Sequence, residues 1–174
     1  MVRFSLLICI ILLFITCKDD SQAPEGGIPP GFRGFVNGLY WEADSTLAFK
    51  MSARSSTNPS IRTMLVVNGY RWVTGNYLNR INLTLHDDRV GDYSSKDKNL
   101  FVTIDVFNPQ GQQTTYNANL DYGRATAEIF TVKDGIIEGH FNCAGVAVYP
   151  ANPQDSVYID GGNFSMTLED RTEN

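Results

Sequence analysis

Hydrophobic and polar residues alternate with a period of two through most of the chain, and helical spacing is nowhere sustained. In the clearest example, Ile81, Leu83 and Leu85 alternate with Asn82 and Thr84. The other runs with this pattern are 35–41, 47–52, 102–106, 116–122, 137–143 and 164–168. Short polar links separate the runs, so the pattern predicts an all-β fold, an antiparallel β-sandwich or β-barrel of about nine or ten strands.

Turn-forming residues divide these strands. Asn68–Gly69 is the strongest hairpin signal, because this dipeptide favours the tight turns that join antiparallel strands. We predict further turns at Asn108–Gly111 and Lys133–Gly135, and a loop at Ser55–Ser60. The polar stretch 87–99 has room for one short strand, at Gly91–Tyr93.

The first strand is predicted from the alternation that begins at Phe35. Phe35, Asn37, Leu39 and Trp41 are expected to share one face of it, with a turn near Gly38. Trp41 is therefore a candidate core residue.

The N-terminal segment has a different character. An apolar run of about a dozen residues follows Arg3 and ends at Cys17, which is the arrangement of a cleaved export signal and is too short for a membrane span. The residues Leu12–Cys17 resemble the cleavage site of bacterial lipoproteins. The resemblance implies a signal peptide at 1–16 and acyl chains on Cys17, which would anchor the mature protein in a membrane. The alternatives are an ordinary secretory signal and a membrane-retained helix.

The residues after the cysteine refine this expectation. Lys18–Asp20 resembles the signal that sends Bacteroidota-type lipoproteins to the outer face of the outer membrane. We therefore expect outer-membrane localisation with display on the cell surface, and the periplasmic leaflet is the alternative. Prolines, glycines and polar residues dominate up to position 34, which predicts a lipidated flexible tether at 17–34. A single all-β domain at 35–170 and a polar tail at 171–174 complete the predicted organisation.

The charge balance argues against nucleic acid as a partner. The whole chain has 14 basic and 19 acidic residues, a net charge of −5. Removal of the signal takes away only Arg3, so the mature chain carries −6. A protein that binds nucleic acid needs a basic face to neutralise phosphates.

Cysteine content argues against disulfides. Of the three cysteines, Cys9 leaves with the signal and Cys17 would be acylated, so Cys143 is alone in the domain. Cys143 is in phase with Ile137 and Phe141, which predicts a buried small hydrophobic residue rather than a reactive thiol. The 43% hydrophobic content allows a core that needs no covalent cross-links.

A second resemblance covers most of the mature chain. Its motifs are Phe35–Ala43, Gly91–Tyr93, Ile137–Phe141 and Ile159–Phe164. Together they resemble a family of Bacteroidota lipoprotein domains with an F-x-V-N-G-x-x-W-x-A opening, a G-T-Y middle and I-x-G-x-F repeats. Asp92 stands where the middle motif has threonine. The family has no assigned activity, so the resemblance implies fold and location and adds no site residues.

Two histidines provide candidate chemistry. His86 adjoins Asp87 and Asp88, with Asp92 nearby, which is compatible with a metal site or an acid–base pair and equally with an ordinary turn. No second histidine has ligand spacing, so we expect no metal and no cofactor.

His140 lies on the outward phase of its strand with Glu138 and Asn142. These residues form either a polar cluster or an ordinary solvated strand face.

Two functional hypotheses remain. The first is a binding module whose exposed Tyr, Trp and Asn side chains hold a glycan or a partner protein. The second is a surface glycan-processing hydrolase, for which the outward-phase carboxylates Glu128, Glu138 and Asp105 are the candidates. We favour the binding module and assign no catalytic residue, because sequence spacing does not determine whether any two of these carboxylates lie close together.

Overall fold

The computed structural model describes residues 27–54, 61–73 and 78–172. The predicted signal peptide at 1–16, Cys17, Lys18–Asp20 and the predicted loop at Ser55–Ser60 lie outside these ranges. The described residues form eleven strands and one 3-10 helix, Ser95–Asp97, with no α-helix among them. The strands are β1 Gly31–Val36, β2 Leu39–Glu42, β3 Ser45–Arg54, β4 Ile61–Trp72, β5 Leu78–Leu85, β6 Gly91–Ser94, β7 Leu100–Phe107, β8 Gln113–Ala118, β9 Arg124–Lys133, β10 Ile136–Tyr149 and β11 Ala151–Asp170.

The sheet closes on itself. Its hydrogen-bonded order is β2-β1-β11-β3-β4-β5-β7-β8-β10-β9-β6, and β11 also pairs with β10. Strands β3, β4, β5, β7, β8, β10 and β11 therefore form a continuous ring, closed by a short parallel pairing of β11 with β3. Two pairs of strands extend from this ring: β1 and β2 from β11, and β9 and β6 from β10. The predicted all-β fold is confirmed, with the connectivity of a barrel.

Aromatic side chains fill one end of the interior. Phe32, Phe141 and Phe164 are at most 1% exposed. The ring centroid of Phe32 lies 5.1 Å from that of Phe141 and 5.8 Å from that of Trp41. Aliphatic residues from the alternating strands, among them Ile81, Leu83, Leu85, Val102 and Ile104, complete the core. The inward phases predicted for these strands and for Trp41 are confirmed.

The first predicted strand is two strands. Asn37 and Gly38, with φ of 49° and 78°, form a two-residue turn between β1 and β2. Phe35 and Leu39 are consequently exposed while Trp41 is buried, so the prediction of one shared face is wrong. Since β1 begins at Gly31, the folded part also includes the last four residues of the predicted tether.

The hairpin predicted at Asn68–Gly69 is wrong. Both residues lie in the middle of β4. Asn68 is buried and accepts a hydrogen bond of 2.8 Å from Nδ2 of Asn82 on β5. Gly69 allows Phe32 to approach the backbone, and a Cβ atom there would lie 2.7 Å from Cδ1 of that ring. Tertiary packing therefore explains why this dipeptide, which locally favours a turn, lies within a strand.

Other local predictions hold. Gly91–Ser94 is the short strand β6, and turns lie at Asn108–Gly111 and at Asp134–Gly135. Strands β10 and β11 are longer than predicted. Shifts of register near Phe141 and Val146 bend this pair around the core. Within the described part of the chain, no helix is long and apolar enough to cross a membrane.

Candidate binding face

The strands that extend from the ring, together with β10 and β11, present a continuous outer face. One residue from each strand lies in register across it, in the order Asp92, Glu128, His140, Asn163, Arg33 and Glu42. Each alternates along its strand with buried side chains, as Glu128 does with Ala127 and Ile129. The structure thus assembles a polar row from six strands. Two of the neighbouring pairs, β6 with β9 and β11 with β1, are not consecutive in sequence.

A shallow acidic cavity lies at one end of this row. It has a volume of about 420 Å³ and is lined by Asp92, Asp97, Glu128, His140 and Asn142 among others. Asp92 stands directly opposite Glu128, and Glu128 directly opposite His140. Like charges that face each other across strands destabilise a sheet. No basic side chain of the described residues forms an ion pair with either carboxylate.

A second cavity adjoins the first. It has a volume of about 480 Å³, and its lining includes the basic residues Lys96 and Arg124. Ser94 and Thr126 line both cavities. We call the two cavities together the charged groove: acidic where Asp92 and Glu128 lie, and basic where Lys96 and Arg124 lie.

The opposite end of the outer face carries aromatic side chains. Phe35 and Tyr40 are 48% and 54% exposed, and their rings meet edge to face with centroids 5.9 Å apart. Tyr158 is also half exposed. It lies beside the β1–β2 turn because its backbone N–H donates to Oδ1 of Asn37, at 2.8 Å, while its carbonyl accepts from the Asn37 N–H.

A polar cleft of about 310 Å³ borders the ring of Tyr40. It is lined by Tyr40, Glu42, Ala43, Asp44 and Arg71, and we call it the hairpin cleft. The Tyr40 hydroxyl donates to Oε2 of Glu42 at 3.0 Å, and this bond raises the pKa of the tyrosine. Asp44 accepts from the backbone N–H of Trp72 at 2.7 Å. An aromatic ring, two carboxylates and a guanidinium therefore surround one shallow cleft.

The three carboxylates considered for hydrolysis lie on three different strands and have different surroundings. Asp105 lies on β7, buried in a network with Arg80, Gln113 and Thr115. Glu138 on β10 is half-buried and accepts a hydrogen bond of 2.9 Å from Ser165 Oγ. Glu128 alone lies in the charged groove.

Sequence reasoning missed three features of the face: the opposition of Asp92 to Glu128, the basic pair Lys96 and Arg124, and the hairpin cleft. The outward phase of Glu128 was visible in the sequence, but its neighbours across the strands were not.

The polar residues near His86 do not converge on a ligand. Thr63, His86, Asp87 and Asp88 line a shallow depression of about 330 Å³. Asp87 is bound by Arg89, whose hydrogen bond lowers the pKa of that carboxyl group. In the described ranges no three His, Cys, Asp or Glu side chains are grouped so that they could hold a metal ion.

His140 and Cys143 occupy opposite sides of β10. His140 is exposed on the outer face and meets Phe130 edge to face, with ring centroids 5.2 Å apart. Cys143 is buried in the core, and burial raises the pKa of its thiol to about 12. The interpretation of Cys143 as a small hydrophobic residue is confirmed.

We compared the chain with protein-family models, with curated proteins and with solved structures, and none of them matches.

Proposed function

We propose that this protein is an exported, lipid-anchored binding module that binds a glycan at the hairpin cleft. The observation that carries the proposal is the half-exposed ring of Tyr40, which borders a cleft lined by Glu42, Asp44 and Arg71. A sugar ring has an apolar face of C–H groups and a rim of hydroxyl groups. An aromatic ring beside charged hydrogen-bonding groups complements both parts.

Neighbouring side chains extend the same chemistry. Phe35 supports the ring of Tyr40 from one side, and Tyr158 lies close to the same turn. A chain of several sugars therefore finds exposed aromatic rings on β1, β2 and β11 beside the charged groups of the hairpin cleft.

Binding is favoured over hydrolysis by the arrangement of the carboxylates. Glycoside hydrolysis requires two carboxyl groups on either side of the bond that is cleaved. Asp105 and Glu138 are held in separate hydrogen-bonding networks, and Glu128 lies in the charged groove. Glu42 and Asp44 share the hairpin cleft, but each already accepts a hydrogen bond from its own part of the fold.

The binding proposal is tested with a panel of immobilised oligosaccharides, followed by titration of the best one against purified protein. Tyr40→Ala should weaken binding about tenfold, because the stacking surface is lost. Tyr40→Phe keeps the ring and should retain most of the affinity. Tyr149→Ala removes an aromatic side chain that is 66% exposed elsewhere and serves as the matched control.

Two outcomes would contradict this assignment. One is equal affinity of wild type and Tyr40→Ala for every oligosaccharide that binds. The other is release of shorter sugars from the titrated oligosaccharide, which would favour the hydrolase.

Acylation of Cys17 and display on the cell surface are tested separately. Cys17→Ser should abolish incorporation of a fatty-acid label in cells, and equal labelling of both proteins would refute acylation at this residue. Replacement of Lys18–Asp20 by three alanines should protect the protein from external protease by retaining it on the periplasmic leaflet. Unchanged digestion would show that these residues do not direct surface display.

A further inference from the structure

No charged side chain of the charged groove forms an ion pair within the described residues. Elsewhere in the described ranges, the ion pairs are Lys50–Asp170, Arg80–Asp105, Arg89–Asp87, Lys133–Asp134 and Arg171–Glu169. The charged residues of the groove, Asp92, Asp97, Glu128, Lys96 and Arg124, take no part in these pairs. The groove thus keeps three carboxylates, Asp92, Asp97 and Glu128, in its acidic cavity and two cations in the adjoining one, all available to a ligand.

The geometry of β9 fixes the distance between the two ends. Glu128 and Arg124 point to the same side of this strand, with exposed Thr126 between them. A strand rises roughly 3.3 Å per residue, so the two side chains leave the backbone about 13 Å apart. Any extended peptide has the same repeat, and its residues i and i+4 also point to one side.

The form of the groove favours an extended ligand. Its two cavities adjoin along β6 and β9 and share Ser94 and Thr126, both of which have short hydroxyl side chains. A compact ligand that bears one charge would engage only one end of the groove. A ligand that uses both ends must carry a positive and a negative group at matching separation.

We propose that the charged groove binds an extended peptide segment of a partner protein. A Lys or Arg side chain of the peptide lies over Asp92 and Glu128. An Asp or Glu side chain four residues along lies at Lys96 and Arg124. This proposal is independent of glycan binding, because the hairpin cleft lies on β2 and shares no lining residue with the groove. Binding of the peptide would neutralise the repulsion between Asp92 and Glu128, and oppositely charged surfaces favour encounter with the correct partner.

The experiment uses fluorescein-labelled peptides and fluorescence anisotropy at low salt. Two peptides have Lys and Glu four positions apart, in either order, separated by Ser and Thr. A third has the same composition with Lys and Glu adjacent, so that the two charges point to opposite sides. At least one of the spaced peptides should bind about fivefold more tightly than the third, and added salt should reduce this difference.

Protein variants test the register of the complex. Arg124→Glu should lower the affinity for the spaced peptide about fivefold. A peptide with Lys at both positions should bind this variant about as tightly as the spaced peptide binds the wild type. Lys133→Glu makes the same change of net charge at the other end of β9, where the side chain is 80% exposed, and should leave binding unchanged. Circular dichroism establishes that both variants are folded.

Several results would overturn the proposal. One is equal binding of spaced and adjacent peptides, which would indicate attraction by net charge alone. Others are an equal effect of Arg124→Glu and Lys133→Glu, or failure of the doubly basic peptide to restore binding. Free lysine that competes as effectively as the unlabelled peptide would also overturn it. The groove would then be a site for cations that does not recognise a peptide. None of these results would bear on oligosaccharide binding at Tyr40.

Discussion

The ring of Phe32 lies against the backbone of Gly69, in space that any side chain on Gly69 would occupy. A Cβ atom at this position would be 2.7 Å from Cδ1 of Phe32 and 3.1 Å from Cη2 of Trp41. Phe32 is fully buried against Phe141 and Phe164, so it has little freedom to move aside. The contact brings β4 close to the β1–β2 pair, which bears the hairpin cleft.

Gly69→Ala should therefore lower the free energy of unfolding by about 1–3 kcal/mol, the cost of overpacking a core. Urea denaturation measures the change. Gly27→Ala is the control, because its nearest neighbour would be 3.5 Å away. In the double variant with Phe32→Leu, the effect of Gly69→Ala should be smaller, since less of the ring remains to clash. Full additivity of the two substitutions would contradict the proposed contact.

Trp41→Ala should cost about 3–5 kcal/mol, because it removes a large aromatic side chain from the core. Trp41 is 7% exposed and packs edge to face on Phe32. Trp72 is 60% exposed, so Trp72→Ala should change stability by less than about 0.5 kcal/mol. Thermal and urea denaturation of the two variants provide the comparison, and equal losses would be inconsistent with this core.

Asp105 should contribute stability and leave oligosaccharide binding unchanged. Its Oδ2 accepts from Arg80 Nε at 3.0 Å and Nη2 at 2.6 Å, and its Oδ1 accepts from Gln113 and Thr115. Asp105→Ala leaves these donors unsatisfied and should lower the free energy of unfolding by about 2–4 kcal/mol. The loss should be smaller than that for a fully buried ion pair, because Arg80 is partly exposed.

Glu169→Ala is the control. It breaks an exposed ion pair with Arg171 and should lower the free energy of unfolding by less than about 1 kcal/mol.

A loss of oligosaccharide affinity in folded Asp105→Ala protein would return the Asp105 carboxylate to the functional candidates.

Cys143 should resist alkylation in the native protein. Because the pKa of its thiol is raised to about 12, native protein at pH 8.5 contains almost no thiolate at this position. Because folding disfavours the thiolate form, the contribution of Cys143 to stability is complete below the ordinary thiol pKa of 9.0. It declines as the pH rises from there towards the folded-state pKa of about 12.

Iodoacetamide followed by mass spectrometry of the peptide that contains Cys143 should show modification only after denaturation. Rapid labelling of native protein at pH 8.5 would refute the buried position.

Within each uninterrupted strand, the sequence by itself determined which side chains share a face. Ile81, Leu83 and Leu85 are buried as their alternation predicts, because a strand places every second side chain on the same side whatever its neighbours are. The same local rule identified Cys143 as a core residue and placed Glu128 and His140 outward. Short turns such as Asp134–Gly135 were also predictable, since their backbone conformation depends on adjacent residues.

Tertiary structure alone decided which strands are neighbours. Asp92, Glu128 and His140 come into register because β9 lies between β6 and β10, and the ring closes because β11 reaches β3. Alternation carries no information about such pairings, which depend on long-range packing of the whole core. For the same reason Asn68–Gly69 lies within a strand: contacts with Asn82 and Phe32, residues from other strands, outweigh the local preference of the dipeptide for a turn.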